Sequence, residues 1–412
     1  MRPVQRSYPA YLVSHLSRHA WTIDALRIAA AIAVAVFHLS WRGGLLPGLY
    51  PIGWIGVQVF FVISGAVILG SAQDRTAGTF LVGRVRRLYP AALACCVLNV
   101  VAIVALHPWF PVPVIHADLT PIRLVGSLTL LGERFLASAY WTLPIELAFY
   151  AAVTVLLLVP RVRWTWVATG LVLLGLVWQV HARMPPPFDA ALAQYLPSTV
   201  TQGVLARYAP YFGLGMLLFL AAREHIGSAG WATAALAGVL AAGEMQMRLA
   251  ADIAVNYRGT ANLSNMLPVA MVVWSVACVL VWAGFRGHGV ALPPGLGRGL
   301  RVAGLATYPF YLLHEAVAGG TMGMLVAQGI PAAAAMVTGL SVCGIGSVGV
   351  VLLWERPLNR WLARDGYRPW RLRGATRIAN AEPSSPSSPL PTNSTSSVTP
   401  AFPAFSSLSS TP

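Results

Sequence analysis

The chain has 412 residues, of which 57% are hydrophobic and only 10% are charged, and its formal net charge is +15. Soluble domains carry about 25% charged residues, so this composition excludes a soluble protein and indicates an integral membrane protein. All 28 basic residues are arginine. Because arginine in cytoplasmic loops orients membrane proteins, the positive charge needs no nucleic-acid partner, and we expect none.

Hydropathy and helix-breaking residues predict ten membrane-spanning helices. Their approximate limits are 23–41, 54–71, 88–107, 138–159, 164–181, 208–222, 230–250, 265–285, 302–327 and 332–354. The sixth and seventh spans are the weakest, because the sixth is short and the seventh carries Glu244 and Arg248 near its end. We therefore predict an all-α fold, a polytopic transmembrane helix bundle.

The arginines alternate between the loops on the two sides of this bundle. With a cytoplasmic N-terminus, 20 arginines fall on the cytoplasmic side and 7 on the opposite side, so we expect both termini in the cytoplasm. Residues 1–20 are then a cytoplasmic N-terminal segment, 21–365 the membrane domain and 366–412 a cytoplasmic tail. After about residue 378 the tail is rich in Ser, Pro and Thr, a composition that predicts disorder.

The first predicted span carries Asp24, Arg27 and His38. Eleven residues at about 100° each place Arg27 and His38 about 20° apart around the helix and about 16 Å apart along it. Asp24 lies one turn before Arg27 and can pair with its guanidinium. Because His38 shares a face with a charge in the membrane, we interpret it as a general base, with a reference pKa of about 6.5. The alternative is a histidine at a helix end that interfacial water satisfies.

Two segments that follow could bind a substrate or order the bundle. In the second span, Ser64 can form a hydrogen bond to a neighbouring helix, and small residues around it allow close helix contact. The next loop reads Arg84-Val-Arg86-Arg87-Leu-Tyr89-Pro90. Guanidinium groups bind phosphates in two-point geometry, although arginines at this position also serve to orient the chain.

Glu146 is a carboxylate within the apolar fourth span, where a charge is costly without a partner. We expect that partner to be His38 or an arginine, and the carboxylate could serve chemistry or only order the bundle. His314, three residues after Tyr311, is by itself best explained as a hydrogen-bonded structural histidine. The four cysteines lie in apolar stretches without the spacing of metal ligands, so we predict no metal site.

These segments resemble the acyltransferase 3 family of bacterial membrane O-acyltransferases. Six motifs match in the expected order: Asp24 to His38, Gly53 to Ile68, Arg84 to Pro90, Trp141 to Tyr150, Thr307 to His314 and Glu355 to Pro357. Two positions depart from the family's pattern. Pro144 stands where a small polar residue is usual, and Leu147 stands where many members have a second acidic residue.

The resemblance implies an enzyme that transfers an acyl group, most simply acetyl, from acyl-CoA to a hydroxyl of a carbohydrate or another envelope or secreted molecule. The implied catalytic residues are His38, Arg27, Asp24, Glu146 and His314. The implied donor-binding residues are Arg84, Arg87, Tyr89 and Ser64. Acyl-CoA is a substrate, so no permanently bound cofactor is expected, and the chain should be a multi-pass protein of the inner membrane in contact with lipid.

Some members of this family carry a fused extracytoplasmic hydrolase-like domain. About 47 residues follow Asp365 here, so we expect the membrane domain to complete the transfer or to pass the acyl group to a separate protein. A transporter or flippase for a glycan or lipid-linked substrate is the alternative, because helices around a polar pathway also suit transport. The two halves show no clear internal repeat of the kind that many transporters have.

Overall fold

The structure is a computed structural model that describes residues 10–42, 52–109, 119–132, 134–183, 204–250, 266–287 and 292–363. These residues belong to one compact unit, Met1–Pro369, and a second unit, Trp370–Pro412, lies outside the described residues. The predicted tail 366–412, with its predicted disorder, therefore also lies outside them, as do residues 1–9 of the predicted N-terminal segment.

The described chain is helical, and we number its α-helices in chain order. They are α1 (Ala10–Phe37), α2 (Ile55–Ala72), α3 (Ala77–Leu106), α4 (Pro121–Thr129), α5 (Leu143–Leu156), α6 (Trp164–His181), α7 (Val204–Arg223), α8 (Gly227–Arg248), α9 (Met266–Phe285), α10 (Pro294–Leu313), α11 (Gly319–Ala327), α12 (Ala332–Gly349) and α13 (Arg356–Ala363). Three π-helical turns continue α1, α10 and α12, namely His38–Arg42, His314–Ala318 and Val350–Glu355. A 3-10 turn, Ser138–Thr142, leads into α5.

Nine stretches of the described helices are long and apolar enough to cross a membrane, which confirms the all-α polytopic bundle. Each of the ten predicted spans is helical, but the seventh, α8, is not among the nine. Many of its residues are Ala and Gly, and Glu244 and Arg248 lower its hydrophobicity further. The sides of the membrane on which the termini lie stay a prediction.

Two boundaries differ from the predicted ones in a way that matters for the site. The first helix begins at Ala10, well before residue 23. The third begins at Ala77, so Arg84 and Arg87 lie within α3, with Pro90 inside the same helix. The predicted loop was wrong because arginine is a good helix former, and proline is tolerated in a membrane helix when neighbouring groups satisfy the freed backbone.

Helices α2 and α7 form the centre of the bundle, where 78% and 72% of their spans are buried. Glycine makes their contact close: a Cβ atom on Gly65 would lie 2.2 Å from the Phe212 carbonyl oxygen, and one on Gly215 would lie 2.0 Å from that of Val62. The start of α2 meets α1 in the same way, since a Cβ on Gly56 would lie 2.4 Å from the Ala30 oxygen. The small residues predicted to admit a neighbouring helix therefore do so.

We expect Gly215→Ala to destabilise the protein by about 1–3 kcal/mol, because the added methyl group would overlap the Val62 carbonyl and force α2 and α7 apart. Gly344→Ala is the matched control, since a Cβ at that helical glycine would meet no atom within 4 Å. Thermal unfolding in detergent measures both. Equal midpoints for the two variants would contradict the close contact between α2 and α7.

Candidate active site

Three ionisable side chains meet where the π turns after α1 and α10 come together. The Nδ1 atom of His38 lies 2.8 Å from Nε2 of His314 and 3.3 Å from Oε1 of Glu315. The two imidazole rings stack with their centroids 5.1 Å apart. The side chain of Glu315 is fully buried, whereas that of His38 keeps 12% of its surface exposed. His38 is therefore the member of this histidine–glutamate group with access to a substrate.

Hydrogen bonds assign the protons of the two imidazoles. Nδ1 of His314 lies 2.7 Å from the Tyr311 carbonyl oxygen, which can only accept, so this nitrogen carries a proton. In neutral His314 the Nε2 atom then accepts the proton on Nδ1 of His38. The second nitrogen of His38, Nε2, consequently carries the lone pair. This tautomer is the one that a general base requires.

The Ser138–Thr142 turn holds the carboxylate of Glu315. The backbone N–H groups of Ser138 and Ala139 donate to Oε2 at 2.5 and 3.3 Å, and the Ser138 hydroxyl donates to Oε1. Three donors stabilise the negative charge of this buried group. Sequence reasoning assigned Glu315 no role, although a carboxylate next to His314 in a membrane span was a signal that could have identified it.

Glu146 has different partners from those predicted. Its carboxylate accepts hydrogen bonds from the Ser64 hydroxyl at 3.3 Å and from the Tyr150 hydroxyl. The expectation that His38 or an arginine pairs with Glu146 was wrong. His38 pairs with Glu315 instead, because Glu146 lies about one helical turn beyond the Ser138–Thr142 turn, and hydroxyl donors satisfy it there.

Two further ion pairs involve the predicted arginines. Arg27 faces Asp24 at 3.9 Å, which confirms the predicted pair. Arg87 binds Glu355 at 2.6 Å, so the arginine motif on α3 is joined to the closing motif after α12. Arg27 also lies within electrostatic reach of Arg87 and Glu146. These side chains form one charged interior group at the level of Arg27 on α1.

Arg84 also lies inside the bundle, but aromatic rings pack against its guanidinium. Its guanidinium lies 5.4 Å from the ring centroid of Phe80 and 5.9 Å from that of Tyr150. Among the ion pairs of the described residues, none includes Arg84, and its Nε atom is buried without a hydrogen-bond partner. Arg84 is thus a cation in a membrane helix without an ion-pair partner among the described residues, and Glu146 lies within electrostatic reach of it.

Tyr89, the last predicted donor-binding residue, is placed elsewhere. Its hydroxyl donates to the Thr129 carbonyl at 2.8 Å, so it joins α3 to α4.

The histidine–glutamate group and the arginines are connected along α5. Thr142, Glu146 and Tyr150 follow one another at four-residue spacing, and the Thr142 hydroxyl lies 3.4 Å from the hydroxyl of Tyr311. One polar face of α5 therefore leads from the histidines to Arg84.

The ligand atoms of His38, His314 and Glu315 all lie within 4.8 Å of one another, so these residues could hold a metal ion. The hydrogen bonds described above account for the same short distances without an ion. The predicted lack of a metal site stays a prediction.

Comparison with known proteins places these features in context. The family model described as acyltransferase domain, of the acyltransferase 3 family, matches residues 21–355. The chain is similar to the peptidoglycan O-acetyltransferase OatA of Listeria monocytogenes, with 38% identity over 96 residues, 21% of this chain and 14% of OatA. It is also similar to the acyltransferase MdmB of Streptomyces mycarofaciens, with 30% identity over 142 residues, 31% of this chain and 37% of MdmB.

A third relative is nodulation protein 10 of Rhizobium leguminosarum, with 30% identity over 178 residues, 36% of this chain and 47% of that protein. The chain spans less than half the length of each of these relatives. No solved structure matches it.

We expect Glu355→Gln to lower the free energy of unfolding by about 1–3 kcal/mol, because it leaves the Arg87 guanidinium without its charged partner in the membrane. Arg87→Met should cost a similar amount, and the double variant should lose less than the sum of the two. Glu224→Gln, at an exposed carboxylate after α7, is the control. Strictly additive losses in thermal unfolding would contradict the ion pair.

Proposed function

Because the chain belongs to the acyltransferase 3 family, we propose that it is a membrane O-acyltransferase that transfers an acetyl group from acetyl-CoA to a hydroxyl group of a carbohydrate. The observation that carries this proposal is the contact of His38 with His314 and Glu315. The names of two relatives, a peptidoglycan O-acetyltransferase and an acyltransferase, support it. The family match gives no support to the alternative of a transporter or flippase.

In the proposed reaction, Nε2 of His38 removes the proton of the acceptor hydroxyl while its oxygen attacks the carbonyl carbon of the thioester. The tetrahedral intermediate then breaks its carbon–sulfur bond, and His38 returns the proton to the departing thiolate of coenzyme A. Glu315 stabilises the positive charge that His38 carries between these two steps, because its Oε1 atom lies 3.3 Å from Nδ1. His314 holds the ring of His38 in the required tautomer.

The donor approaches from the arginine end of the bundle in this proposal. A guanidinium that is not engaged in an ion pair binds a phosphate strongly in a medium of low dielectric constant, and Arg84, whose Nε has no hydrogen-bond partner, fits that description. Arg87 is engaged by Glu355 and serves mainly to position α3. Arg27 and His38 are about 16 Å apart along α1, a distance that the extended pantetheine arm of coenzyme A can cover.

The predicted orientation supports this arrangement. It puts Arg84 and Arg87 near the cytoplasm, where acetyl-CoA is available, and His38 towards the other side of the inner membrane. The acceptor would then enter from the opposite side to the donor. The proposal requires no permanently bound cofactor.

We expect His38→Ala to lower kcat by about 10²-fold or more, because it removes the general base. Glu315→Gln should lower kcat by about 10²-fold while leaving the KM for acetyl-CoA unchanged, since it removes the charge that stabilises protonated His38. Release of free thiol from acetyl-CoA with a panel of glycans measures both. Glu224→Gln is the matched carboxylate control, and normal turnover in His38→Ala would refute the assignment.

Metal chelation separates this mechanism from a metal-dependent one. Turnover by the purified protein should be unchanged after treatment with 1,10-phenanthroline, because the proposed base acts through its own lone pair. Loss of turnover that zinc restores would assign His38, His314 and Glu315 as metal ligands instead.

We expect coenzyme A at 100 times its dissociation constant to stabilise the protein by about 2.7 kcal/mol. Arg84→Ala should abolish most of this stabilisation, because it removes the guanidinium available to the phosphates. Arg163→Ala, at an exposed arginine that the charge pattern puts on the same side, is the control. Equal stabilisation of both variants in thermal unfolding would show that Arg84 only orients the chain.

A further inference from the structure

A third polar group, which the proposed chemistry does not use, surrounds Arg248 at the end of α8. Its guanidinium lies 5.3 Å from the ring centroid of Trp141, 5.8 Å from that of Tyr208 and 5.9 Å from that of Trp54. It also donates to the hydroxyl of Tyr208. We call Arg248, with these three aromatic residues, the aromatic–arginine group.

The carboxylate of Glu244, only 1% exposed, fixes the position of this group. It lies 3.5 Å from Nε of Arg248 and 2.8 Å from Nε of Arg207. It also accepts hydrogen bonds from the Tyr211 hydroxyl at 2.9 Å and from Nε2 of Gln58 at 3.4 Å. Such a concentration of charge inside a membrane protein is costly and marks a functional site.

The aromatic–arginine group lies beside the proposed reaction centre. Trp141 belongs to the Ser138–Thr142 turn, whose first residue binds Glu315. Trp54 directly follows Gly53, where a Cβ atom would lie 2.8 Å from that of Phe37, the residue before His38. Both elements that carry the indole rings therefore also contact an element that carries the chemistry.

Two buried polar atoms at the edge of this group lack a partner in the described part of the chain. They are Nε1 of Trp54 and Oε1 of Gln58, in side chains that are 3% and 0% exposed. The first is a hydrogen-bond donor and the second an acceptor, and the two residues are one helical turn apart. A hydroxyl group, which can accept from one and donate to the other, is their chemical complement.

From these contacts we propose that the aromatic–arginine group is the binding site of the carbohydrate acceptor. This inference rests on the proposed function and adds to it the location of the second substrate. A sugar presents apolar C–H faces that stack on indole rings, and it has hydroxyl groups that suit Trp54 and Gln58. With one hydroxyl bound there, a neighbouring hydroxyl of the same sugar can be directed towards His38.

The test is Trp54→Phe, which keeps an aromatic ring and removes only the N–H donor. With chitotetraose as the acceptor probe, we expect the KM for this sugar to rise about tenfold, the effect of one lost hydrogen bond. The KM for acetyl-CoA should not change. Trp282→Phe is the matched control, because Trp282 also has a buried N–H without a partner in the described chain, but lies on α9 against Arg286.

The other outcomes of this experiment test the site and the acyltransferase activity separately. Unchanged KM for chitotetraose in Trp54→Phe overturns the site and indicates that water fills it. If calorimetry shows that chitotetraose binds and that Trp54→Phe weakens this binding, the site is upheld. If no thiol is released from acetyl-CoA in the same protein, the acyltransferase activity is refuted. If chitotetraose is neither bound nor acylated, the proposal of a carbohydrate acceptor is overturned. If Trp54→Phe does not fold, Gln58→Met, which removes the hydroxyl acceptor, is measured in the same way.

Discussion

The buried carboxylate of Glu315 is the interaction on which the rest of the site depends. A negative charge inside a membrane protein is tolerated only when donors surround it, and here they are two backbone N–H groups and the Ser138 hydroxyl of the Ser138–Thr142 turn. This turn and Glu315 are 177 residues apart in the sequence. Together with the 3.3 Å approach of Nδ1 of His38 to Oε1, these contacts fix the relative positions of the Ser138–Thr142 turn and of the π turns after α1 and α10.

The two arginines of α3, Arg84 and Arg87, belong to one motif but have different surroundings. Arg87 is neutralised by Glu355 and joins α3 to the turn after α12. Arg84, one turn earlier, rests on aromatic rings and has no carboxylate partner among the described residues. In a medium of low dielectric constant a cation of this kind favours an anion strongly. The contrast supports a structural role for Arg87 and a binding role for Arg84.

Helix α5 and the turn before it connect the three polar groups of the protein. Ser138 binds Glu315 at the reaction centre, and Trp141 packs against Arg248. Further along, Glu146 accepts from Ser64, and Tyr150 lies next to Arg84. An acyl donor bound near Arg84 and an acyl acceptor bound near Trp141 would thus both lie along α5 and the turn before it. The rigidity of this segment would hold the two reacting groups in a fixed orientation.

The sequence by itself determined the polytopic helical class, the Asp24–Arg27 pair and the glycine contacts of α2, because composition and helical periodicity act locally. Only the tertiary structure decided which carboxylate serves His38. His38 and His314 are 276 residues apart, and both lie on π turns, where the side chains depart from the 3.6-residue period on which sequence reasoning relies. The Ser64 partner of Glu146 and the Glu355 partner of Arg87 likewise lie 82 and 268 residues away in the sequence, so spacing alone could not identify them.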